Sequence, residues 1–116
     1  MTKQAKEPFK QFETGALRDR PPGKGMYAAI SPVAIDRLAK RLEYGHIKYG
    51  DCRNWEKGMP VSEFITSSLR HIFQYLDGDN AEDHLAAAFW NLHCAMHMEV
   101  KKPEMMDIPA RMKIEK

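Results

Sequence analysis

Histidine and amide side chains at helical spacing mark two segments in the second half of this chain. In the first segment Ser67, His71 and Gln74 follow at steps of four and three residues, which places them on one face of a helix. In the second segment His84 and Asn91 are seven residues apart and also share a face. A buried polar group without a partner costs about 1–3 kcal/mol. If the two helices are neighbours, their polar faces need each other, a ligand or a metal ion.

The sequence leaves two interpretations of this polar seam open. Side chains of this kind often only hydrogen-bond to one another inside a helical protein. The alternative is a chemical site, because the two histidines would lie close to Asp83 and to the small side chains of alanines 86–88, which leave space for a ligand.

Two further groups carry a weaker signal. His93 and His97 have the i,i+4 spacing of zinc ligands, but their segment lacks the glutamate of the H-E-x-x-H motif. Glu43 borders the apolar face of a predicted helix, where a carboxylate is usually solvated.

A glycine-rich stretch near the N-terminus, residues 13–27, looks suited to phosphate but is not a P-loop. Its "GK" pair ends at Lys24, yet Arg18 stands where the first glycine of the motif belongs, and Gly25 stands where Ser or Thr is required. If this stretch binds phosphate, we expect it to do so as an extended arm with cationic side chains, and Pro21-Pro22 favour the extended form.

Three helices are predicted to position these residues. Ser31 is a good N-cap and Pro32 a good first residue for the first helix, which ends at Gly45 or Gly50. Apolar periodicity predicts the second helix and the third, the latter capped by Asn80 and apolar nearly all round. The short connection predicts antiparallel neighbours, with His71 level with Ala87. The predicted ranges of the second and third helices are 61–76 and 81–100.

The fold class predicted from this pattern is all-α, a small helical bundle with an extended N-terminal arm. We expect the arm at residues 1–30, a helical domain at 31–102 that carries the candidate site and a tail at 103–116 that forms a short docking helix. No strand is expected, apart from a weak apolar run near residues 27–30.

Composition narrows the function classes. The formal charge of +2 gives no argument for a nucleic-acid polymer or a membrane surface as partner. Two distant cysteines, Cys52 and Cys94, suggest reduced thiols rather than a disulfide framework. No apolar run approaches the roughly 18 residues of a membrane span, and no signal peptide is recognisable. We therefore expect a soluble cytoplasmic protein.

Several chained motifs carry a family resemblance between about Phe12 and Asn91. They are "FETGALRD", "GKG", "SPVAIDRLA", "E-x-G-x-x-KYGD-x-RNW-x-KG" and "SLRH…DGD…EDHLAAAFWN". The chain resembles a phage and bacterial family described as dATP/dGTP diphosphohydrolase, which is similar to the MazG-like all-α nucleotide pyrophosphohydrolases. The resemblance implies cleavage of a purine deoxynucleoside triphosphate between its α and β phosphates with the help of divalent ions.

The metal ligands implied by this resemblance do not transfer residue by residue. MazG-like enzymes carry E-x-x-E on one helix and E-x-x-D on a later one, and carboxylates suit magnesium. Here Glu43 is followed three residues later by His46, and alanines replace the later acid. Glu43, Glu82 and Asp83 are the predicted metal ligands. Because the set also includes His71 and His84, manganese is an alternative to magnesium.

As an enzyme, the chain would use His71, Asp83 and His84 in catalysis. Cationic side chains would neutralise the triphosphate, and the aromatic and amide side chains would contact the base or line the seam. The predicted substrate-binding residues are Arg18, Lys24, Lys48, Asn54, Trp55, Arg70 and Asn91. The alternative function is a non-catalytic phage module that binds or sequesters a nucleotide, which the missing acids favour.

The expected partners are a purine nucleotide and further copies of the chain. A third helix that is apolar all round and a methionine-rich tail need more cover than one copy provides. A homodimer or tetramer is therefore predicted.

Overall fold

The structure is a computed structural model that describes residues 9–19 and 22–112. The chain forms two compact units, residues 1–30 and residues 31–116. The last residues of the predicted tail, 113–116, lie outside the described part.

The N-terminal unit contains a β-hairpin, so the expectation of a strandless arm is wrong. Strand β1 (Phe9–Gln11) pairs antiparallel with β2 (Leu17–Asp19), with Phe9 opposite Asp19. The turn is closed by hydrogen bonds from the Phe12 N–H to the Ala16 carbonyl and from the Gly15 N–H to the Phe12 carbonyl. Gly15 has a φ of 92°, which glycine adopts without strain. Strands of three residues are too short to show a pattern of alternation, which is why the sequence did not reveal them. The apolar run at 27–30 forms a 3-10 turn instead, Tyr27–Ala29.

The first helix, α1 (Pro32–Tyr49), begins and ends as its sequence signals indicate. The Ser31 side chain accepts a hydrogen bond from the Ala34 N–H, and Pro32 is the first helical residue. Of the two glycines considered for its end, Gly50 terminates the helix, because it adopts a left-handed φ of 76° while its N–H bonds to the His46 carbonyl.

The second helix, α2 (Val61–Leu76), agrees with its predicted range, whereas α3 (His84–Lys101) begins later than expected. Asp83, not Asn80, is the N-cap, and its side chain accepts from the Ala86 N–H. Both Asn and Asp are good caps, so local sequence preference did not distinguish them. The later start lengthens the connection and shifts the register: His71 lies beside His84, and Ser68 donates to the Ala88 carbonyl. The predicted pairing of His71 with Ala87 is therefore wrong.

The core of the helical unit lies between α2, α3 and the connection after α1. Phe64, Cys94 and Met98 are almost completely buried, and Trp55 joins them from a 3-10 turn at Asn54–Lys57. Up to residue 112 the tail forms no α-helix; it makes two 3-10 turns, Pro103–Met105 and Pro109–Arg111. Three of its side chains, Met105, Met106 and Ile108, pack on this core.

The predicted fold class is confirmed: the structure is a small all-α bundle with a minor two-stranded sheet. Among the helices in residues 9–19 and 22–112, none is long and apolar enough to cross a membrane.

Candidate functional site

A cleft of about 460 Å³ opens between α1, α2, the start of the connection at 51–59 and one side of α3. Its volume is in the range of small-molecule sites. Three of its lining side chains are cations, contributed by the second half of α1 and by α2: Arg41, Lys48 and Arg70. Two histidines, His46 and His71, also line it. Asp51 and Glu63 are the lining carboxylates. The cleft is thus better suited to an anion than to a cation along most of its wall.

Aromatic side chains form the inner wall of the cleft. Trp55 and Trp90 meet edge to face, with ring centroids 6.4 Å apart. Behind Trp55 lie His93 and His97, with ring centroids at 5.0 and 4.9 Å. These two histidines therefore pack around an indole, which accounts for their i,i+4 spacing without a metal. The Trp90 Nε1 atom is buried and has no hydrogen-bond partner in the described part of the chain.

His71 and His84 form a buried pair at one end of the cleft. His71 lines the cleft, and the Nδ1 atoms of the two rings are 2.9 Å apart. Burial lowers the pKa of His71 below its ordinary value, Glu82 opposes this effect and Arg41 adds to it. The neutral imidazole is thus favoured, which is the form that ligates metals. The polar seam predicted between the two helices exists, with Ser68 rather than Ser67 at its buried centre.

Two arginines of α1 bind the two acids that precede α3. Arg37 donates from Nε and Nη2 to both oxygens of Asp83, and Arg41 donates to Glu82 at 2.9 Å. These hydrogen bonds lower the pKa of each carboxyl below its ordinary value. Asp83 therefore has two structural partners, the arginine and the α3 N-terminus, whereas Arg41 also lines the cleft and stacks on Tyr44.

The structure brings together most of the residues predicted for the site. The cleft is lined by Lys48, Asn54, Trp55, Arg70, Asn91 and His71. His84 and Glu82 lie next to His71 but do not line the cleft themselves. Asp83 follows Glu82 in the chain and is paired with Arg37. Glu43 is exposed on α1 and is not part of the cleft lining. Arg18 and Lys24 belong to the N-terminal unit, where both are exposed.

Arg41, Glu63 and Trp90 are among the cleft residues that sequence reasoning missed. A signal existed for the first: Arg37 and Arg41 are spaced to share a helical face, and Glu82-Asp83 are two adjacent acids that match them. Glu63 gave no signal, because a glutamate in the first turn of a helix is ordinary dipole compensation.

A nucleotide hydrolase is expected to hold a metal ion. In the described residues, one group of side chains could ligate such an ion. One ligand atom each from His71, Glu82 and His84 lies within 4.8 Å of the others. Two imidazoles and one carboxylate suit zinc, and to a lesser degree manganese, better than magnesium, which prefers oxygen ligands. The residues present therefore fit a divalent cation, though not through the four-carboxylate pattern.

Fold and cleft together define a class, a small all-α protein with a cationic, aromatic-walled cleft next to a possible metal site. Compared with known protein families, residues 14–108 match the family described as dATP/dGTP diphosphohydrolase, N-terminal. Since this match spans well over half of the chain, the chain belongs to that family. Comparison with the curated proteins and with the solved structures found no match.

Proposed function

We propose that this chain hydrolyses purine deoxynucleoside triphosphates, dATP or dGTP, in the cleft. Water adds to the α-phosphorus, the bond from that phosphorus to the bridging α–β oxygen breaks, and the products are a monophosphate and pyrophosphate. The observation that carries the proposal is the family match, which spans the three helices whose side chains line the cleft.

The phosphates are assigned to the basic side of the cleft. Lys48 and Arg70 both line it, and among the described residues the exposed Arg70 side chain donates only to the Ser67 hydroxyl, at 3.3 Å. An arginine with a free donor face binds phosphate oxygens in pairs. The base is assigned to the wall formed by Trp55 and Trp90, since purines stack on indoles.

A divalent cation held by His71, Glu82 and His84 would neutralise phosphate charge and lower the pKa of a bound water. The chain's own contribution is to bury both imidazoles and hold them next to the cleft, and burial lowers the pKa of His71. Asp83 and Glu43, predicted from the sequence as ligands, stay predictions. So do Arg18 and Lys24 as phosphate contacts.

The test is incubation of the purified protein with dATP and dGTP and with Mn²⁺ or Mg²⁺, followed by separation of the products. The proposal expects monophosphate and pyrophosphate in equal amounts. Intact nucleotide with every metal would contradict it.

Binding is tested separately by titration with a non-hydrolysable dGTP analogue. A charge-assisted contact contributes roughly 1.5–3 kcal/mol, so Arg70→Ala should weaken binding by about one to two powers of ten. The matched control is Lys40→Ala, because Lys40 pairs with Asp36 on α1 and does not line the cleft. Equal losses in both variants would refute a phosphate site at Arg70.

The second candidate function is a nucleotide-binding module that does not cleave its ligand. It is favoured by the arginine partners of Glu82 and Asp83 and by the position of Glu43 outside the cleft lining. Recovery of intact nucleotide after heat release from the protein would establish it.

A further inference from the structure

We propose that His71, Glu82 and His84 form a divalent-metal site that prefers Mn²⁺ or Zn²⁺ to Mg²⁺. The guanidinium of Arg41 stays paired with the Glu82 carboxylate of this site until a phosphate in the cleft binds the guanidinium instead. The exchange of Arg41 rests on the proposed function, whereas the metal site stands on the geometry alone.

The two imidazoles are arranged as ligands that are already desolvated. His71 and His84 are 7 % and 2 % exposed, and their Nδ1 atoms are 2.9 Å apart. A single hydrogen bond between two neutral rings uses one donor and one acceptor and leaves the other ring atoms to find partners elsewhere. Glu82 brings a carboxylate to the same place. The result is a compact donor set of two nitrogens and one oxygen.

The remaining nitrogen of His84 points to the same use. His84 Nε2 is buried and lacks a hydrogen-bond partner in the described residues, and its nearest acid atom is Asp79 Oδ2 at 3.4 Å. Metal-binding histidines usually present their second nitrogen to a carboxylate, which fixes the tautomer and leaves the first nitrogen free to ligate. Asp79 stands in that position, and a small movement of this exposed side chain would complete the bond.

Arg41 links this site to the cleft. Its guanidinium donates to Glu82, and the same side chain lines the cleft. A cation bound to Glu82 would lie beside the guanidinium of Arg41 and repel it, and a phosphate in the cleft is the natural new partner for a displaced guanidinium. Glu82 and Arg41 therefore exchange partners when both ligands are bound. The metal and the nucleotide should each favour binding of the other by the same factor.

The neighbouring pair supplies a matched control. Arg37 holds Asp83 as Arg41 holds Glu82, but Asp83 is not a member of the His71, Glu82, His84 group. Removing either arginine changes the net charge equally. Only the removal of Arg41 frees a carboxylate of the proposed site.

The experiment is calorimetric titration of the chelator-treated protein with Mn²⁺, Zn²⁺ or Mg²⁺ in the absence of nucleotide. We expect Mn²⁺ and Zn²⁺ to bind at least about tenfold more tightly than Mg²⁺, as nitrogen ligands dictate. Arg41→Gln should raise the affinity for Mn²⁺ by about tenfold, a usual size for coupling between adjacent sites. Arg37→Gln should leave it unchanged. Adding Glu82→Gln to the Arg41→Gln variant should remove the gain.

Three results would overturn the proposal: Mg²⁺ bound as tightly as Mn²⁺, equal gains from the two arginine variants, or a gain that survives Glu82→Gln. Circular dichroism of each variant confirms that the helices are intact. Because no nucleotide is present, a protein that passes this test but cleaves no nucleotide refutes the proposed function and leaves the metal site standing.

A second inference has a different basis, an apolar face on the outer side of the α2–α3 hairpin. The exposed side chains recur at steps of three and four residues on both helices. They are Leu69, Phe73 and Leu76 on α2 and Leu85, Phe89, Leu92, Met96 and Val100 on α3. Their exposed fractions range from 38 to 76 %.

The two stripes form one surface because the helices are antiparallel and Ser68 faces Ala88. Along antiparallel helices, the residues that follow two facing positions turn to the same side, so Leu69 and Phe89 are neighbours on one side of the hairpin. Ser67, Arg70 and Asn91 turn to the other side, where they line the cleft. The apolar face therefore lies on the back of the hairpin, away from the cleft.

We infer that a second copy of this chain covers this face. If each of the eight side chains has a total area of about 150–250 Å², their exposed fractions together amount to roughly 900 Å² of apolar surface. That is more than the roughly 300–600 Å² of the largest patch on a typical monomer and close to the roughly 800 Å² per partner of a stable interface. Eight apolar side chains without an acid or base among them suit a self-complementary two-fold contact. The tail, whose Met105 and Met106 pack on the core of the same copy, is not needed for it.

Light scattering with size-exclusion chromatography at micromolar concentration tests this interface. We expect a dimer, a monomer for Met96→Glu, and a dimer for the control Ile47→Glu. Met96 and Ile47 are similarly exposed, at 67 % and 75 %, but Ile47 lies on α1. A monomeric wild type, or a Met96→Glu variant that remains dimeric with its helices intact, would refute the inference.

Discussion

Asp83 offers the sharpest test of how the helical unit is held together, because one carboxylate performs two separable tasks. It accepts from the Ala86 N–H at 3.1 Å as the N-cap of α3, and it pairs through both oxygens with Arg37. Replacement by alanine removes both contacts, whereas Asp83→Asn keeps a capping oxygen and loses the charge. Arg37→Gln removes only the ion pair.

The structure gives the size of each effect. Loss of a cap costs about 1 kcal/mol. The Arg37 and Asp83 side chains are 45 % and 40 % exposed, so solvent screens their attraction and the pair contributes about 0.5 kcal/mol. Asp83→Ala should therefore lower the free energy of unfolding by about 1.5 kcal/mol, and the melting temperature by about 5–8 °C for a chain of this length. Asp83→Asn and Arg37→Gln should each cost about 0.5 kcal/mol.

Urea unfolding followed by circular dichroism at 222 nm measures these values, and the double variant Arg37→Gln, Asp83→Asn gives the coupling between the two side chains. An Asp83→Asn variant that is as unstable as Asp83→Ala would refute the assignment of the cap. The same variant examines the predicted catalytic role. If Asp83 takes part in the reaction, turnover stops in Asp83→Asn at a temperature where the fold is intact.

Three further predictions concern pH, thiol reactivity and the core. Hydrogen bonds are the chief reason that four carboxyls have pKa values below their ordinary ones. The donors are Ala81 for Asp79, Arg41 for Glu82, Arg37 for Asp83 and Ser62 for Asp107. In acid the unfolded chain therefore binds these protons first, so stability should fall as the pH drops below about 5, as pH-dependent urea unfolding would show. The lowered pKa of His71 adds an earlier loss as the pH drops below its ordinary value of 6.5; a flat profile down to pH 2 would contradict this. A thiol reagent should modify the exposed Cys52 at once in the free protein, and more slowly when nucleotide is bound, because Cys52 lines the cleft. It should modify Cys94 only after unfolding, since burial raises the pKa of Cys94 to about 12. Two thiols that react at equal rates in the native protein would refute this prediction. Phe64→Ala should cost about 3–5 kcal/mol because this ring is 2 % exposed, and a loss below 1 kcal/mol would show that the core is not centred there.

Local chemistry in the sequence determined where α1 and α2 lie. Ser31 with Pro32 begins α1, and Gly50 ends it, because the cap hydroxyl, the fixed φ of proline and the left-handed φ of glycine act within one turn of chain. The period of apolar residues placed α2. The same logic found the polar faces of α2 and α3, since side-chain direction along a helix depends only on spacing.

Local chemistry failed where two choices were nearly equal. Asn80 and Asp83 are both good caps, and what separates them is that Asp83 also has an arginine from α1 to bind. That partner is 46 residues away, so no window of sequence contains the information. The register between α2 and α3 followed from this choice and was therefore missed as well.

The candidate site was predicted in part for the same reason. Lys48, Trp55, Arg70 and His71 were recognised by residue type and by their place on helices or in the connection. Contacts between distant segments made them a site: the His71–His84 pair, the Arg41–Glu82 pair and the wall of Trp55 against Trp90. The sequence by itself determined which residue types lie on each helical face. Tertiary structure decided which faces meet, because packing fixes register and distance, and charge pairs and metal sites depend on distances of a few ångströms.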